Sequence, residues 1–437
     1  MTEDAAPASR EQDRALLRGV FIVTVFAAIA GAARVGQDAA IAWRFGAGQT
    51  VDAYYYLLTL VSWPVAVALS TLTLLVAPVD ATRKAAEVAD GMHFRGELLG
   101  AVLLFALVTL PPMWWALSAI AGSPLGGLER GAAALAKDAV PAIVWTVPLG
   151  LMGALLAAWL VARGRHLLTL LEALPPLVLI VALLAVPGST LFWGTTAGIA
   201  LQVAAMTLAL RAAGEMPRPR LGMSAQAWPA FAQGAYALLA GQMLFTLVPL
   251  VDPFFAARQG DGMVAALSYA NRLVLGLQGL AGLALQRAGL PLLSRWMATA
   301  PGAARRAALR WALVAAGAGA ALGVLVATLA DPIVSLLYER GRFTAGDSAQ
   351  VAMLLRYGML QMPAFLAGLT LVTALASASA RRDLALIAGG GLVAKLALST
   401  WLVGRYGVSG LLLATALMYT TTALLAWFAL AQRWRSA

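Results

Sequence analysis

Cysteine is absent from the 437-residue sequence, and histidine occurs only at His93 and His166. Disulfides, thiol catalysis and metal sites built from histidine and cysteine are therefore excluded. Charged residues are also scarce, at 12% of the chain, against roughly 25% in soluble domains. Hydrophobic residues make up 61%. This composition excludes a water-soluble fold.

Long apolar stretches recur along the chain, and each has the length of about 20 residues that a helix needs to cross a membrane. They predict an all-α polytopic membrane protein of about 12 transmembrane helices. The predicted spans are roughly 17–43, 51–79, 97–121, 140–162, 167–186, 190–212, 229–257, 263–294, 308–337, 348–378, 383–404 and 408–432. Residues 1–16 lack the pattern of a signal peptide and are predicted to form a loose cytoplasmic tail.

The distribution of lysine and arginine predicts the orientation of the chain, because cytoplasmic connections carry an excess of both. With a cytoplasmic N-terminus, 19 of these residues fall on the cytoplasmic side and 7 on the other. We therefore expect a multi-pass membrane protein with both termini in the cytoplasm. The net charge of +11 indicates contact with anionic membrane lipids and not with nucleic acid.

An internal repeat becomes visible when the chain is shifted on itself by 214 positions. The shift superposes five identical pairs: Asp38 on Asp252, Ala42 on Ala256, Gly46 on Gly260, Gly48 on Gly262 and Tyr55 on Tyr269. Small residues recur in any helical membrane protein, but the depth shared by the two aspartates favours a true repeat. We predict an N-terminal six-helix lobe (17–212), a cytoplasmic linker (213–228) and a C-terminal six-helix lobe (229–437) around a central cavity, which is a transporter plan.

Charged residues within the spans are candidate functional residues, because burial in hydrocarbon is costly unless a charge faces a partner or a wet cavity. Arg34 and Asp38 lie four positions apart on one helix face, so they can form a local ion pair, and a role in the substrate path is the alternative. Asp252 and Lys395 carry opposite charges and would offset each other if close. Arg272 has the planar fork that suits phosphate oxygens, although a structural ion pair is the alternative.

Several motifs resemble the MurJ (MviN-like) lipid II flippases of the MOP flippase superfamily. The stretch Asp38 to Gly48, followed by Val51-Asp52-Ala53-Tyr54-Tyr55, is similar to the end of that family's first helix and the start of its second. Tyr269-Ala270-Asn271-Arg272-Leu273 resembles its Tyr-Ala-Asp-Arg-Leu, and Tyr338-Glu339-Arg340-Gly341-Arg342-Phe343-Thr344 its Phe-Glu-Arg-Gly-x-Phe-Thr. Gly407 to Thr415 is similar to the start of its twelfth helix.

The resemblance implies a site for the diphosphate of an undecaprenyl-linked sugar and a separate sodium site. Of the family's diphosphate-binding arginines only Arg272 falls on a matching position, and we add Arg34, Asp38, Asp52, Asn271 and Gln37 as candidate substrate-binding residues. At the sodium site Asp252 and Thr415 match, and Lys395 and Ser399 complete the candidate ion-coupling residues. No catalytic residue and no metal centre are implied.

Several positions depart from the family pattern. Gly31 and Gln37 stand where the family has arginines in its first helix, the second-helix arginine is missing, and nothing after Trp434 matches the family's last two helices. Lys395 and Ser399 replace an asparagine and an aspartate, so we expect the lysine to serve as a built-in cation. These departures favour another polyprenyl-linked glycan as substrate, or another energy source.

The predicted function is a flippase that moves a polyprenyl-diphosphate-linked saccharide, lipid II or a related envelope precursor, to the outer leaflet by alternating access. No cofactor is predicted, and coupling to sodium, protons or membrane potential stays open, with Lys395 arguing against sodium. The alternatives are a membrane glycan polymerase or ligase and a non-transporting partner of envelope glycan biosynthesis enzymes. An exporter of the related MATE branch is disfavoured by the Glu339 to Thr344 motif.

Overall fold

The computed structural model describes residues 6–81, 88–163, 170–186, 190–299, 301–377 and 381–433, and all regular structure in these ranges is helical. The first seven α-helices are α1 (Ala6–Phe45), α2 (Gln49–Ala81), α3 (Val88–Ala121), α4 (Arg130–Ile143), α5 (Thr146–Ala162), α6 (Leu174–Ala185) and α7 (Thr190–Ala212). The remaining eight are α8 (Trp228–Ala256), α9 (Met263–Thr299), α10 (Pro301–Thr328), α11 (Ala330–Tyr338), α12 (Ala345–Met359), α13 (Met362–Ser377), α14 (Arg381–Tyr406) and α15 (Val408–Arg433).

Every predicted span overlaps one of these helices or a pair of them, so the prediction of an all-α membrane protein is confirmed. Among the described residues, 7 helices are long and apolar enough to cross a membrane, and up to 9 spans result if each bent pair counts as one. Helix α6 is apolar but shorter. The chain is a multi-pass membrane protein.

Three predicted spans are broken where the sequence suggested single helices. Helices α4 and α5 meet at 48° and α12 and α13 at 40°, while α10 and α11 are separated at Leu329. In each case the second helix carries a proline in its first turn: Pro148, Pro363 and Pro332 respectively. Proline lacks the N–H that would continue the preceding helix and its ring crowds the carbonyl one turn back.

Two other expectations at the ends of spans are wrong. Helix α1 begins at Ala6, so residues 6–16 are helical where a loose tail was expected. Helix α3 begins at Val88 and therefore contains His93, which the sequence reading placed in a connection. Polar residues such as Glu, Lys and Arg are good helix formers outside the membrane as well, so apolar length underestimates helix length. His166 lies outside the described residues.

The chain divides into two compact units that do not follow the predicted lobes in sequence. Unit 1 comprises residues 1–41, 61–118 and 138–239, and unit 2 comprises residues 42–60, 119–137 and 240–437. The core of unit 1 surrounds Trp159, with Phe94, Leu98 and Leu155 buried beside it. In unit 2, α14 packs along α15 and α10 along α13. The arrangement of six-helix lobes around a cavity stays a prediction.

Candidate functional site

Unit 2 contains a densely packed region that we call the repeat junction, formed by residues 42–60, 256–274 and 338–344. Asp52 is 2% exposed there. Its carboxylate accepts hydrogen bonds from the backbone N–H of Gly262 at 2.6 Å and of Ala265 at 2.7 Å. These donors belong to the start of α9, where the first N–H groups of a helix have no partner within it. Asp52 therefore caps α9 with both of its oxygens.

Glycines with positive φ let backbone segments of the repeat junction touch directly. Gly341 has φ of 63°, and a Cβ there would lie 2.2 Å from the carbonyl oxygen of Trp43. The neighbouring Arg342 donates its backbone N–H to that same oxygen at 2.9 Å. Gly46 has φ of 68°, and a Cβ there would lie 2.7 Å from the carbonyl oxygen of Arg342. Only glycine fits at these two positions.

An aromatic cluster fills the repeat junction. Its members are at most 2% exposed and are Tyr54, Tyr55, Tyr269, Tyr338 and Phe343. Tyr55 and Tyr269, which the repeat superposes, meet edge to face with ring centroids 5.6 Å apart, and the Tyr269 hydroxyl donates to the carbonyl oxygen of Gly46 at 3.2 Å. Two residues that the sequence shift superposes are therefore in contact, while the repeat itself stays a prediction.

The motif from Glu339 to Thr344 has a structural explanation in this region. Phe343 enters the aromatic cluster, with its ring centroid 5.5 Å from that of Tyr269. Thr344 is the N-cap of α12, and it exchanges hydrogen bonds with Asp347 in a capping box. The glycine of the motif supplies the close approach to Trp43. The sequence signature thus encodes a turn that docks α11 and α12 onto the repeat junction.

Arg272 lies on α9 at the edge of this cluster. Its guanidinium carbon is 4.8 Å from the centroid of the Tyr55 ring, within the range of a cation–π interaction. Arg272 and its neighbour Asn271 are half-buried. The guanidinium carries its N–H donors in a planar fork whose geometry suits phosphate oxygens.

A second site in unit 2 is the Lys395 pocket, formed by Lys395, Asp252, Leu411, Thr415 and Ser399. Lys395 is 0% exposed. Its Nζ lies 2.5 Å from Oδ1 of Asp252 and donates to Thr415 Oγ1 at 2.5 Å and to the Leu411 carbonyl oxygen at 2.9 Å. The expected pairing of Asp252 with Lys395 is therefore present, and three oxygens surround the ammonium.

The Lys395 pocket also contains a polar group that takes no part in the ion pair. Ser399 lies one helical turn after Lys395 on α14 and is 0% exposed, and its hydroxyl has no hydrogen-bond partner among the described residues. Buried polar atoms are rarely left unpaired. The Lys395 pocket therefore holds an unsatisfied hydroxyl beside a well-coordinated ammonium.

The candidate residues on α1 belong to unit 1, and the expected pairing of Arg34 with Asp38 is replaced by another. Arg34 donates to Oε2 of Glu172 at 2.9 Å, and both side chains are about half exposed. Asp38 and Gln37 are 2% and 9% exposed respectively. Glu172 lies far away in sequence, so spacing along α1 gave no signal for it.

The structure thus divides the ten predicted site residues among three places. Asp252, Lys395, Ser399 and Thr415 come together in one pocket, Asp52, Asn271 and Arg272 lie in the repeat junction, and Arg34, Gln37 and Asp38 lie in unit 1. Asp52 has a capping role that the sequence reading missed. Among the described residues no group of three or more His, Cys, Asp or Glu side chains could hold a metal ion.

A buried carboxylate that the sequence reading overlooked is Glu97 on α3, in unit 1. It is 2% exposed and accepts hydrogen bonds from the backbone of Ser224 and Ala225 and from the side chains of Ser224 and Trp228. A glutamate at the very start of a predicted span was the available signal, and it indicated only a charge at a helix end.

Comparison with known proteins places the chain in one family. The family model for lipid II flippase MurJ matches residues 41–437. A probable lipid II flippase MurJ from Bdellovibrio bacteriovorus is 29% identical over 206 residues, which cover 43% of this chain and 38% of that protein. The match therefore spans well under half the length of this curated relative.

Solved structures show the same fold. A lipid II flippase MurJ in an inward closed conformation aligns with a TM-score of 0.77 at 17% identity, covering 94% of this chain and 87% of that one. A MATE family multidrug transporter of the MOP superfamily, facing inward, also aligns with a TM-score of 0.77, at 13% identity, covering 92% of this chain and 94% of that one. The fold is shared by both branches, and it is the family model that separates them: the chain belongs to the MurJ lipid II flippase family.

Proposed function

We propose that this chain flips a polyprenyl-diphosphate-linked saccharide from the cytoplasmic to the outer leaflet of the bacterial inner membrane by alternating access, with both termini in the cytoplasm. The observation that carries the proposal is the half-buried Arg272 against the Tyr55 ring, in a chain of the MurJ family. No bond is made or broken in this process. The protein's task is to shelter a dianionic headgroup while it crosses the hydrocarbon.

Arg272 is the residue that we assign to the diphosphate. A guanidinium binds phosphate oxygens through two parallel N–H donors, which fixes orientation as well as supplying charge. The Tyr55 ring below it limits the directions in which the guanidinium can turn. Asn271, next to Arg272, is proposed to contact the saccharide. Arg34, Gln37 and Asp38 of unit 1 are proposed as further substrate-binding residues, with Asp38 accepting from saccharide hydroxyls because a carboxylate repels phosphate oxygens. Asp52 is not among the proposed ligands, because α9 engages both of its oxygens.

The repeat junction is proposed to be the closed outer end of the transport pathway. The Lys and Arg distribution puts residues 44–50 and 258–262 on the outer side. Polar side chains from the two repeats join there, since Gln49 Nε2 donates to Asp261 Oδ2 at 2.6 Å. Alternating access requires such contacts to part in the outward-open state.

The Lys395 pocket is proposed to replace a mobile coupling ion. A carboxylate, a hydroxyl and a backbone carbonyl surround the Lys395 ammonium, and oxygen ligands of these kinds are those that hard cations take. The ammonium is covalently attached to α14, so it is always present and contributes no gradient. Transport is then expected to proceed without sodium and to draw on the membrane potential, on protons or on the substrate gradient.

The test of the substrate site uses purified protein in proteoliposomes loaded with a fluorescent lipid-linked sugar. Arg272→Ala should abolish flipping at unchanged expression and unchanged unfolding temperature, and Arg272→Lys should retain a fraction, because it keeps the charge but loses the fork. Arg356→Ala is the matched control, since Arg356 pairs with Asp331 at an exposed position. Full flipping by Arg272→Ala would overturn the assignment of this residue.

The test of coupling compares flipping rates with sodium, potassium or choline as the outside cation. Equal rates are expected for the unmodified protein. A clear sodium requirement would contradict the proposed role of Lys395, while the role of Arg272 is decided by its own variants.

A further inference from the structure

The connection between α7 and α8 is an ordered segment with no regular secondary structure, and we call residues 215–224 the strap. Helix α7 ends at a glycine in the left-handed region, with Gly214 at φ of 68°. The Gly214 N–H bonds to the Arg211 carbonyl, and the Glu215 N–H to the Leu210 carbonyl, each at 2.9 Å. This pattern terminates a helix. Pro217 and Pro219 then prevent a new helix from starting.

The strap lies directly on α3 because two glycines make room for it. Arg220 donates its backbone N–H to the carbonyl oxygen of Gly96 at 2.9 Å. A Cβ at Gly96 would lie 2.7 Å from the Arg218 carbonyl oxygen, and one at Gly100 would lie 2.0 Å from the Arg220 carbonyl oxygen. These glycines are one helical turn apart, so they form a shallow groove along α3 that only a bare backbone can enter.

Glu97 accepts four hydrogen bonds at the C-terminal end of the strap. Its Oε1 accepts from Ser224 N–H at 3.0 Å and Ser224 Oγ at 2.6 Å, and its Oε2 accepts from Ala225 N–H at 3.0 Å and the Trp228 indole N–H at 2.8 Å. A buried carboxylate with four donors is well compensated. The indole also packs edge to face on Phe94, with ring centroids 5.3 Å apart. The strap backbone is therefore fixed in place.

The outward side of this fixed segment combines cations with large apolar side chains. Arg218 and Arg220 are exposed, and Leu221 and Met223 are 79% and 73% exposed. The Arg220 Nη1 lies 2.5 Å from His93 Nδ1, which orients the guanidinium. A guanidinium carries five N–H donors, so a bond to His93 does not exhaust it.

The strap adjoins the ends of two candidate membrane spans, which favours a position at the edge of the hydrocarbon layer. The candidate membrane span on α7 ends at Ala212, and the one on α3 begins at Gly91, while the strap follows Ala212 and contacts Gly96 and Gly100. At this level arginines reach lipid phosphates and apolar side chains enter the edge of the acyl region. In water alone, two exposed large apolar residues on a rigid backbone would be unfavourable.

We propose that the strap is a docking surface for anionic phospholipid headgroups. Arg218 and Arg220 bind the phosphates, while Leu221 and Met223 insert between the acyl chains. Glu97, Gly96 and Gly100 preorganise the surface by holding its backbone on α3. The proposal concerns a lipid site outside the transport pathway and does not depend on the proposed function.

The absence of cysteine allows a direct test, because Met223→Cys provides a unique labelling site. The full chain carrying a bimane label at this position is placed in nanodiscs of phosphatidylcholine, with or without phosphatidylglycerol, and with lipids that bear a nitroxide quencher near the headgroup. The bimane emission should shift to the blue and be quenched, and phosphatidylglycerol should strengthen both effects. An unshifted, unquenched label in both lipids would overturn the proposal.

Variants test whether the effect of phosphatidylglycerol comes from the two strap arginines or from the overall charge of the protein. Arg218→Gln with Arg220→Gln should lose the effect of phosphatidylglycerol, whereas the double lysine variant at the same positions should keep it. Arg340→Gln with Arg342→Gln is the matched control, because these two exposed arginines have the same spacing and remove the same charge. A phosphatidylglycerol effect that survives the strap variant, or that vanishes equally in the control, would contradict the proposal.

A final experiment tests whether the strap binds a lipid headgroup or free phosphate. Inorganic phosphate added to phosphatidylcholine nanodiscs should leave the bimane emission unchanged. If inorganic phosphate alone reproduces the shift, the strap is an anion site and not a lipid-docking surface.

Discussion

The repeat junction and the Lys395 pocket each bury an aspartate in unit 2, and they compensate it in different ways. Asp52 in the junction is held by two backbone N–H groups, which the fold of α9 fixes. Asp252 in the pocket is held by a single ammonium, which belongs to a long side chain, and the unpartnered Ser399 hydroxyl lies in the same pocket. A carboxylate held by backbone can be released only by moving a helix. One held by a side chain can respond to a local change in charge.

This difference suggests a division of labour. The hydrogen bonds of the repeat junction break only when helices move, because they involve backbone segments that are far apart in sequence. The net charge of the Lys395 pocket can change without any backbone movement, because its ion pair is formed by two side chains. The following experiments break one region at a time, in order of decreasing expected effect.

The largest effect is expected from locking the repeat junction. Gln49→Cys with Asp261→Cys, treated with a short bis-methanethiosulfonate crosslinker, should lose essentially all flipping in proteoliposomes, and a reducing agent should restore it. The reason is that these side chains touch now and must separate if the junction opens. The same treatment of His93→Cys with Ser224→Cys should leave flipping intact, since that pair joins the strap to α3. Undiminished flipping by the locked junction would mean that it does not open.

The next effect is expected from breaking the ion pair. Lys395→Met leaves the Asp252 carboxylate buried without its counter-ion, which costs about 3–5 kcal/mol in comparable cases. The free energy of unfolding in detergent, followed by tryptophan fluorescence, should fall by that amount. Combining Lys395→Met with Asp252→Asn should recover most of the loss, because no unpaired charge remains. An unchanged stability of the single variant would show that the pair contributes nothing.

A smaller loss is expected at the cap of α9. Asp52→Asn keeps the shape of the side chain but leaves one backbone N–H of α9 facing an amide NH2 group. The loss of one charge-assisted hydrogen bond should lower the free energy of unfolding by about 1–3 kcal/mol. Because the cap lies in the repeat junction, a companion Asn variant at the less buried Asp347, whose carboxylate completes the capping box of α12 with Thr344, serves as a control for capping alone. An equal loss at both positions would mean that burial adds nothing at Asp52.

The smallest effect is expected at Ser399. Its buried hydroxyl has no partner among the described residues, so Ser399→Ala removes an unsatisfied polar atom and should leave stability unchanged or slightly raised, within about 1 kcal/mol. Flipping should be unaffected by the choice of outside cation. A marked loss of transport in this variant would reveal that the hydroxyl serves a ligand of the transport cycle.

The predicted helix positions agree well with the structure, because the length of an apolar stretch is a local property of the sequence. Sequence patterns raised the pairing of Asp252 with Lys395 only as a condition on their distance, and the structure shows the two side chains in contact. They failed where a partner came from elsewhere in the chain. Arg34 pairs with Glu172 and not with the nearby Asp38, and spacing on one helix has no information about a second helix.

The same limit explains the residues that were missed or misread. Asp52 looked like a charge at the start of a span, and only the approach of α9 makes it a cap. Glu97 is another charge at the start of a span, and its four donors come from a segment more than 120 residues away. Gly341 was recognised as part of a motif, but the need for glycine arises from the Trp43 carbonyl beside it.

The Lys395–Asp252 pair also has a consequence for biosynthesis. Ribosomes deliver α8 to the membrane before α14, so the carboxylate of Asp252 is made about 140 residues ahead of its counter-ion. At about 5–20 residues per second, that interval is on the order of 10 to 30 s. During this time the carboxylate of Asp252, near the end of α8, has no permanent partner. Stable insertion of α8 is therefore completed only after α14 has entered the membrane. Truncated chains that end before Lys395 should be degraded by the proteases that remove misfolded membrane proteins.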